Sequence, residues 1–262
     1  MTSGAGDRTT ARSPGKFWLL TAFLLLATTG FGALGVWQVH RLAWKLDLIA
    51  EIDSRTHAAP APAPGPAAWP DINASQDAYR RVRVSGEFQN DRETHVLAVT
   101  SLGSGYWVIT PLHTDQGFTV VVNRGFVPPD RADPSTRPSP PSHVELTGLL
   151  RITEPKGGFL RSNDPEADRW YSRDVTAIAE ARHLTDVAPY FIDAEAASGP
   201  HDETEPVGGL TVINLPNNHL SYALTWFAMA LLALAAAAFV VFDNHRHACP
   251  MPASTAPTAH RS

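Results

Sequence analysis

The stretch Phe17–Trp37, FWLLTAFLLLATTGFGALGVW, and its counterpart Leu220–Phe242, LSYALTWFAMALLALAAAAFVVF, hold 21 and 23 residues without Asp, Glu, Lys, Arg or His. At about 1.5 Å rise per residue each run is about 30 Å long as a helix, the thickness of a bilayer's hydrocarbon core. Both are therefore expected to span a membrane. A cleaved signal peptide would have an apolar core of only about 7 to 15 residues and a small-x-small cleavage site after it, which argues for an uncleaved anchor in the first run. Two spans put both termini on one side. Arg8, Arg12 and Lys16 before the first span, and His245, Arg246 and His247 after the second, place that side in the cytoplasm by the positive-inside rule. Arg41 and Lys45 lie on the far side and oppose this, but a long folded connector translocates largely regardless of its charge.

The rest of the chain follows from this frame. The 262 residues are 44% hydrophobic and 18% charged with a formal net charge of -5. This mild acidity, and the lack of a basic patch interleaved with aromatics, argue against nucleic acid as a partner. The single cysteine, Cys249, excludes within one chain a disulfide framework, a Cys-x-x-Cys redox pair and a Cys-x-x-Cys-His heme attachment. The expected organisation is a cytoplasmic tail at 1–16, a transmembrane helix at 17–37, a juxtamembrane helix at 38–58, and a Pro/Ala-rich linker at 59–71. A β-rich outer domain at 72–216, a second transmembrane helix at 217–242 and a cytoplasmic tail at 243–262 complete it. The fold class is thus an α+β membrane protein, two transmembrane helices flanking a β-rich extracytoplasmic domain with one or two helices.

Within that domain, Val82, Val84, Gly86 and Phe88 alternate with Arg81, Arg83, Ser85 and Glu87, as in a half-buried strand. Tyr106–Leu112 and Thr119–Val127 read as an antiparallel pair, the second buried on both faces because Val120, Val121 and Val122 are consecutive. Residues 143–152 read as a further strand, and Tyr190–Asp193 and Leu210–Asn214 as short closing strands. Asp174 is placed to cap a helix carrying Ile178 and Ala181. Leu42, Leu46 and Ile49 continue the first helix beyond the membrane, and the prolines of Ala59–Pro70, APAPAPGPAAWP, favour an extended linker over a packed element. Residues 128–141 read as a proline-rich loop.

Gly30-Phe31-Gly32-Ala33-Leu34-Gly35 satisfies G-x-G-x-x-G, but it lies inside an apolar span, where a pyrophosphate would sit in lipid. Packing explains it better: Thr28, Gly32 and Gly35 make a small-residue face on which Ala233 and Ala237 of the second span can dock. Neither His-Glu-x-x-His nor G-x-S-x-G occurs, since position 102 before Gly103-Ser104-Gly105 is Leu, and no enzymatic activity is expected. The most informative stretch is Pro216–Trp226, PNNHLSYALTW. Asn217 or Asn218 can cap the second span, and His219, Tyr222 and Trp226 then follow at i, i+3 and i+7. From spacing alone two readings stand: His219 solvates a helix end beside an aromatic belt, or its imidazole ligates heme iron with the aromatics against the macrocycle and Arg41 at a propionate. His40, at the same level on the first span, is a conceivable second ligand. For Asn123-Arg124-Gly125 the expected role is a turn whose arginine pairs with a domain carboxylate.

Several blocks together are similar to the Surfeit-locus cytochrome oxidase assembly factors. They are GVWQVHR at 35–41 with Lys45, Leu48 and Ile49; RVSGEF at 83–88; GYWVITPL at 105–112; VVNRGFVP at 121–128; Trp170 with Asp174; PYFID at 189–193; and NNHLSYALTW at 217–226. The resemblance covers about residues 30 to 230; the proline-rich linker and the loop near Pro138–Pro141 have no counterpart in it. It implies an inner-membrane protein that aids maturation of the cytochrome c oxidase core subunit by handling heme a transiently between heme a synthase and that subunit. It further implies His219 as the iron ligand, and the expected cofactor-binding residues are then His219, Tyr222, Trp226, Arg41 and Trp37. The alternative is a heme-free membrane scaffold holding the unassembled core subunit.

Overall fold

In a computed structural model the described residues are 14–138, 140–155, 157–158, 160–196, 204–213 and 215–248. The tails, with Cys249, fall outside them apart from a few residues next to each helix. Contacts divide the chain into two compact units, one from the N-terminus to Asp47 and from Leu215 onward, the other in between.

The first unit is a pair of helices. Helix α1 runs Pro14–His57 without a break, so the expected continuation beyond Trp37 is present. Helix α4 runs His219–Ala248. Both are long and apolar enough to cross a membrane, with mean hydropathy 1.9 and 2.3 over their most apolar windows. They pack antiparallel. The less exposed positions on α1 are Thr21, Leu24, Thr28, Phe31, Gly35 and Gln38; on α4 they are His219, Ala223, Trp226, Ala230, Ala233, Ala237 and Val240. Steps alternating between three and four residues are those of a left-handed two-helix seam. Many residues of both helices, among them Leu19, Leu26, Leu232 and Phe239, are exposed.

The small-residue reading of the seam holds in part. Gly35 is buried, and a β-carbon there would stand 2.6 Å from the Phe227 ring, whereas one at Gly30 or Gly32 would meet nothing within 4 Å. Gly35 alone of the three glycines is therefore the close-approach point. Replacing it with leucine is expected to force the helices apart. Disulfide yield between cysteines at Thr21 and Ala237, which line one cavity, in a Cys249→Ser background should fall several-fold in Gly35→Leu and stay at the parent level in Gly30→Leu.

The second unit is a closed β-barrel. Its strands are β1 (Ala61–Pro62), β2 (Arg81–Phe88), β3 (Thr94–Thr100), β4 (Gly103–Thr114), β5 (Thr119–Val127), β6 (Val144–Ile152) and β7 (Val187–Ala194), with a one-turn helix α2 (Ala74–Asp77) and helix α3 (Val175–Ala181). The order β1-β2-β6-β7-β5-β4-β3 is closed by a further β2–β4 pairing. This leaves a ring of β2, β6, β7, β5 and β4, with β1 and β3 outside it. Successive strands β6, β2, β4 and β5 are antiparallel neighbours, which is the Greek-key order. β7 completes the ring, parallel to β5 and antiparallel to β6. β2 serves two partners by passing at Gly86 from β6 to β4.

The consecutive valines of β5 divide as expected. Val120 and Val122 enter the barrel interior with Val82, Val84, Leu112, Phe118, Leu150, Tyr190 and Ile192. Val121 faces outward into a second cluster with Val96, Ile109, Trp170, Val175, Ile178 and Phe191, roofed by α3. The N-cap of α3 is Asp174, whose side chain accepts from the Ala177 N–H at 3.2 Å.

Three expectations are corrected. The proline-rich stretch 59–71 is packed, not an extended linker. Ala61–Pro62 pair parallel with β2, Ala63 is buried in the barrel core, and 66–71 form a 3-10 helix that sets Trp69 edge-on to Phe118 at 5.8 Å. Trp69 Nε1 and the Tyr190 hydroxyl both donate to the Pro64 carbonyl, at 3.1 and 2.7 Å. Prolines tolerate an edge position because they lack only the outward N–H, and the aromatic pair supplies the burial that composition did not reveal. Leu210–Ile213 form no strand; Asn214 lies outside the described residues. A bridge from Val207 to Phe126, the Gly209 N–H on the Ala194 carbonyl and the Thr211 hydroxyl on Asp193 hold the neighbouring chain instead. Finally, Asn123-Arg124-Gly125 is not a turn at a strand end but a bulge inside β5. Val108 pairs with Gly125 and Ile109 with Asn123, leaving Arg124 as the extra residue.

Candidate functional site

The end of the helix pair at which α4 begins gathers the residues singled out in the sequence. Asn217 Oδ1 accepts from the His219 N–H at 3.4 Å and the Asn218 carbonyl from the Tyr222 N–H at 3.2 Å. The two asparagines thus satisfy part of the helix's free N–H groups. Across the seam, His219 Nδ1 lies 2.8 Å from Oε1 of Gln38 on α1. Gln38 is buried, one of few polar side chains on the seam. About two turns deeper Trp226 stacks on Phe31 at 5.7 Å with an interplanar angle of 25°.

The other expected residues are placed differently. Tyr222 and Trp37 are 55% and 56% exposed. The Arg41 guanidinium lies 3.9 Å over the ring of Trp44, its own helix neighbour, and His40 is exposed. Helix α1 therefore brings Gln38, not His40, to His219, and Trp37, Arg41 and Tyr222 face away from the seam. In the sequence Gln38 stands just beyond the first charge-free run, inside the GVWQVHR block, with no partner indicated. Its signal was a lone amide at a seam position of an otherwise small or apolar stripe, a pattern that marks register.

Chemically, an imidazole whose Nδ1 donates to an amide oxygen carries its proton there and presents Nε2 as a free lone pair. That is the state in which histidine binds a metal, and ligating histidines characteristically donate the other ring N–H to such an acceptor. Among the described residues no three His, Cys, Asp or Glu side chains are grouped as a metal ion held by side chains alone would need; heme iron needs only one or two.

Two charged clusters in the barrel pair mainly within themselves. Asp193, buried on β7, accepts from Arg151 (2.6 Å), Asn123 (2.8 Å), Thr211 (2.9 Å) and Arg173 (3.1 Å), and Glu154 accepts from Nη2 of Arg151 and from Nε and Nη2 of Arg173. This network borders a cavity of about 410 Å³ with Trp107 and Leu210, but its guanidinium groups are occupied. Glu93 accepts from His95 Nε2 at 2.7 Å and from Arg137 at 2.5 Å, with Arg124 Nη1 at 3.6 Å. The bulged arginine thus has the carboxylate expected for it. Burial draws the Arg124 pKa below its usual value, with Glu93 opposing. Gly125, at φ +135, stands where a β-carbon would lie 2.4 Å from the Val207 carbonyl, so the bulge needs a glycine there.

The chain is, then, a Greek-key β-barrel protein carrying two apolar helices of bilayer-spanning length, one on either side of the barrel in sequence. The SURF1 family model matches residues 25–231. Similar proteins include Surfeit locus protein 1 of Homo sapiens, 36% identical over 247 residues that cover 87% of this chain and 79% of the human one. That of Mus musculus is 36% identical over 245 residues, covering 87% and 77%. A SURF1-like protein of Monosiga brevicollis is 34% identical over 248 residues, covering 89% and 90%. The chain belongs to the SURF1 family.

Proposed function

We propose that this protein is an inner-membrane assembly factor for an aa-type cytochrome c oxidase, anchored by α1 and α4 with the barrel on the outer side, that binds heme a transiently and aids its insertion into the core subunit. Family membership supports the oxidase as the destination. The cationic residues Arg8, Arg12, Lys16 and Arg246 outside the two apolar runs support cytoplasmic termini. The observation that carries the cofactor reading is the contact of His219 Nδ1 with Gln38 Oε1 at 2.8 Å, which leaves Nε2 able to ligate iron.

Bound there, heme a would supply the redox-active iron that the oxidase requires; this chain's part is to hold and release it. His219 offers the iron one nitrogen, and Trp37 of α1 and Tyr222 of α4, both exposed at this end of the helix pair, offer rings on its outer surface, with the stacked Trp226 and Phe31 behind. Arg41 is free to leave Trp44 for a propionate, because a surface cation–π contact is worth only about 0.5–1 kcal/mol. A carrier must bind its cargo less tightly than the final site does, and an open helix face fits that demand.

The test is the absorption spectrum of the protein purified from cells co-expressing the heme a biosynthetic enzymes, beside His219→Ala. Heme a bands in the parent that vanish in the variant are expected. Equal spectra with heme in both would remove His219 as ligand, and no heme in either would favour the heme-free scaffold for the unassembled core subunit.

A further inference from the structure

We infer that Gln38 is the positioning residue of the heme site: its side-chain oxygen fixes His219 in the tautomer protonated at Nδ1 and so makes Nε2 the sole ligating nitrogen. This rests on the reading of His219 as iron ligand, but the tautomer itself is a property of the protein without cofactor. The argument begins with place. Gln38 and His219 are 181 residues apart in the chain and come together because the heptad-like stripes of α1 and α4 run antiparallel with one register. On that seam the neighbours are Phe31, Gly35, Ala223 and Trp226, none of which can accept a side-chain hydrogen bond from an imidazole.

Orientation follows from the same contact. A neutral imidazole has one donor and one acceptor nitrogen, and which is which is set by the partner of one of them. An amide oxygen 2.8 Å from Nδ1 can only accept, so the proton belongs on Nδ1. An amide is uncharged, unlike a carboxylate, and so strengthens the imidazole as a ligand less than a carboxylate partner would. A weakly enhanced donor fits a site that must let go.

The experiment uses full-length protein in lipid nanodiscs, uniformly labelled with ¹⁵N-histidine, the His219 signals assigned by difference against His219→Ala. Without heme, the parent is expected to show a protonated Nδ1 and an unprotonated Nε2. Gln38→Leu should move the proton to Nε2 in most molecules, and Gln38→Glu, which keeps an acceptor oxygen, should restore the parent tautomer. Loaded with heme a, Gln38→Leu should bind about tenfold or more weakly, the scale for losing the partner of a ligating histidine, with a reduction potential above the parent's. Gln38→Glu should bind well with a potential below it, because a carboxylate makes the imidazole a stronger donor. A structural role alone would lower binding in both variants and leave the potential of the remainder where it was. A parent protonated at Nε2, or a Gln38→Leu protein with the parent's tautomer and potential, overturns the inference. A parent with the expected tautomer that takes up no heme a overturns the proposed function and leaves the hold of Gln38 on His219 standing.

Discussion

Asp193→Ala is expected to lower the melting temperature of the barrel unit by about 10 °C. The side chain is 3% exposed and accepts hydrogen bonds from four residues drawn from β5, β6, the segment before α3 and the segment after β7. Alanine leaves Arg151 and Arg173 with Glu154 as their remaining carboxylate, in a site where their side chains are only 16% and 14% exposed. Removing one partner of a buried ion network costs about 3–5 kcal/mol, against a total stability of about 5–15 kcal/mol for a domain of ordinary size. Thermal unfolding followed by near-ultraviolet circular dichroism measures it. Arg169→Ala serves as control: it breaks the pair with Asp164, whose arginine is 63% exposed, and should melt with the parent, since an exposed ion pair contributes little. If Asp193→Ala melts with the control, the network is not what holds these four segments together.

Glu93→Gln is expected to be almost as damaging at neutral pH and to alter the response to acid. Burial raises the Glu93 pKa and is the largest influence on it, yet hydrogen bonds from His95 and Arg137, together with their charges, outweigh it and bring the carboxyl below its ordinary 4.5. A carboxyl whose pKa is lower folded than unfolded stabilises the fold fully above the unfolded value. That contribution disappears as pH falls through the folded value. The parent should therefore lose stability steadily as pH drops below about 4.5. Glutamine strips Arg137, which is 3% exposed, and Arg124 of their counter-charge, so the variant should be less stable at pH 7 by about 3 kcal/mol and show a shallower acid slope. Chemical denaturation at pH 7 and at pH 4 separates the two effects. Parent-like stability at pH 7 would mean that the two arginines find other partners.

The way these residues escaped sequence reading has a physical basis. Local periodicity reports which face of an element is buried, and it reported well for β2, for the consecutive valines of β5 and for the helices, whose apolar runs need no partner to be recognised. Ion clusters carry no period. Asp193 meets Arg151 and Asn123 across 42 and 70 positions, and Glu93 meets Arg137 across 44; only the barrel's closure makes them neighbours. The packed 59–71 stretch was hidden for a related reason. Proline composition states what the backbone prefers, whereas Trp69 on Phe118 and Tyr190 on the Pro64 carbonyl depend on strands later in the chain. At the helix pair, spacing pointed to His219, but its partner could be known only from the register of α1 against α4. The strand β3 also went unread, lying outside the ring with an exposed Val99 at its edge.

The position of β7 sets the order in which the barrel can be made. Among the described residues it is the last strand, yet it is wedged between β5 and β6 and lends its tyrosine to the segment that precedes β2. A chain emerging from its N-terminus can pair β6, β2, β4 and β5 into an open sheet, but two strand edges then stay bare until residue 194 has followed. Such edges invite pairing with other chains, and contacts between the first and last parts of a sequence are the slow ones to form. Biosynthesis of this protein thus includes a vulnerable interval that ends with one eight-residue strand, and a nascent chain cut short before it would be a substrate for quality control.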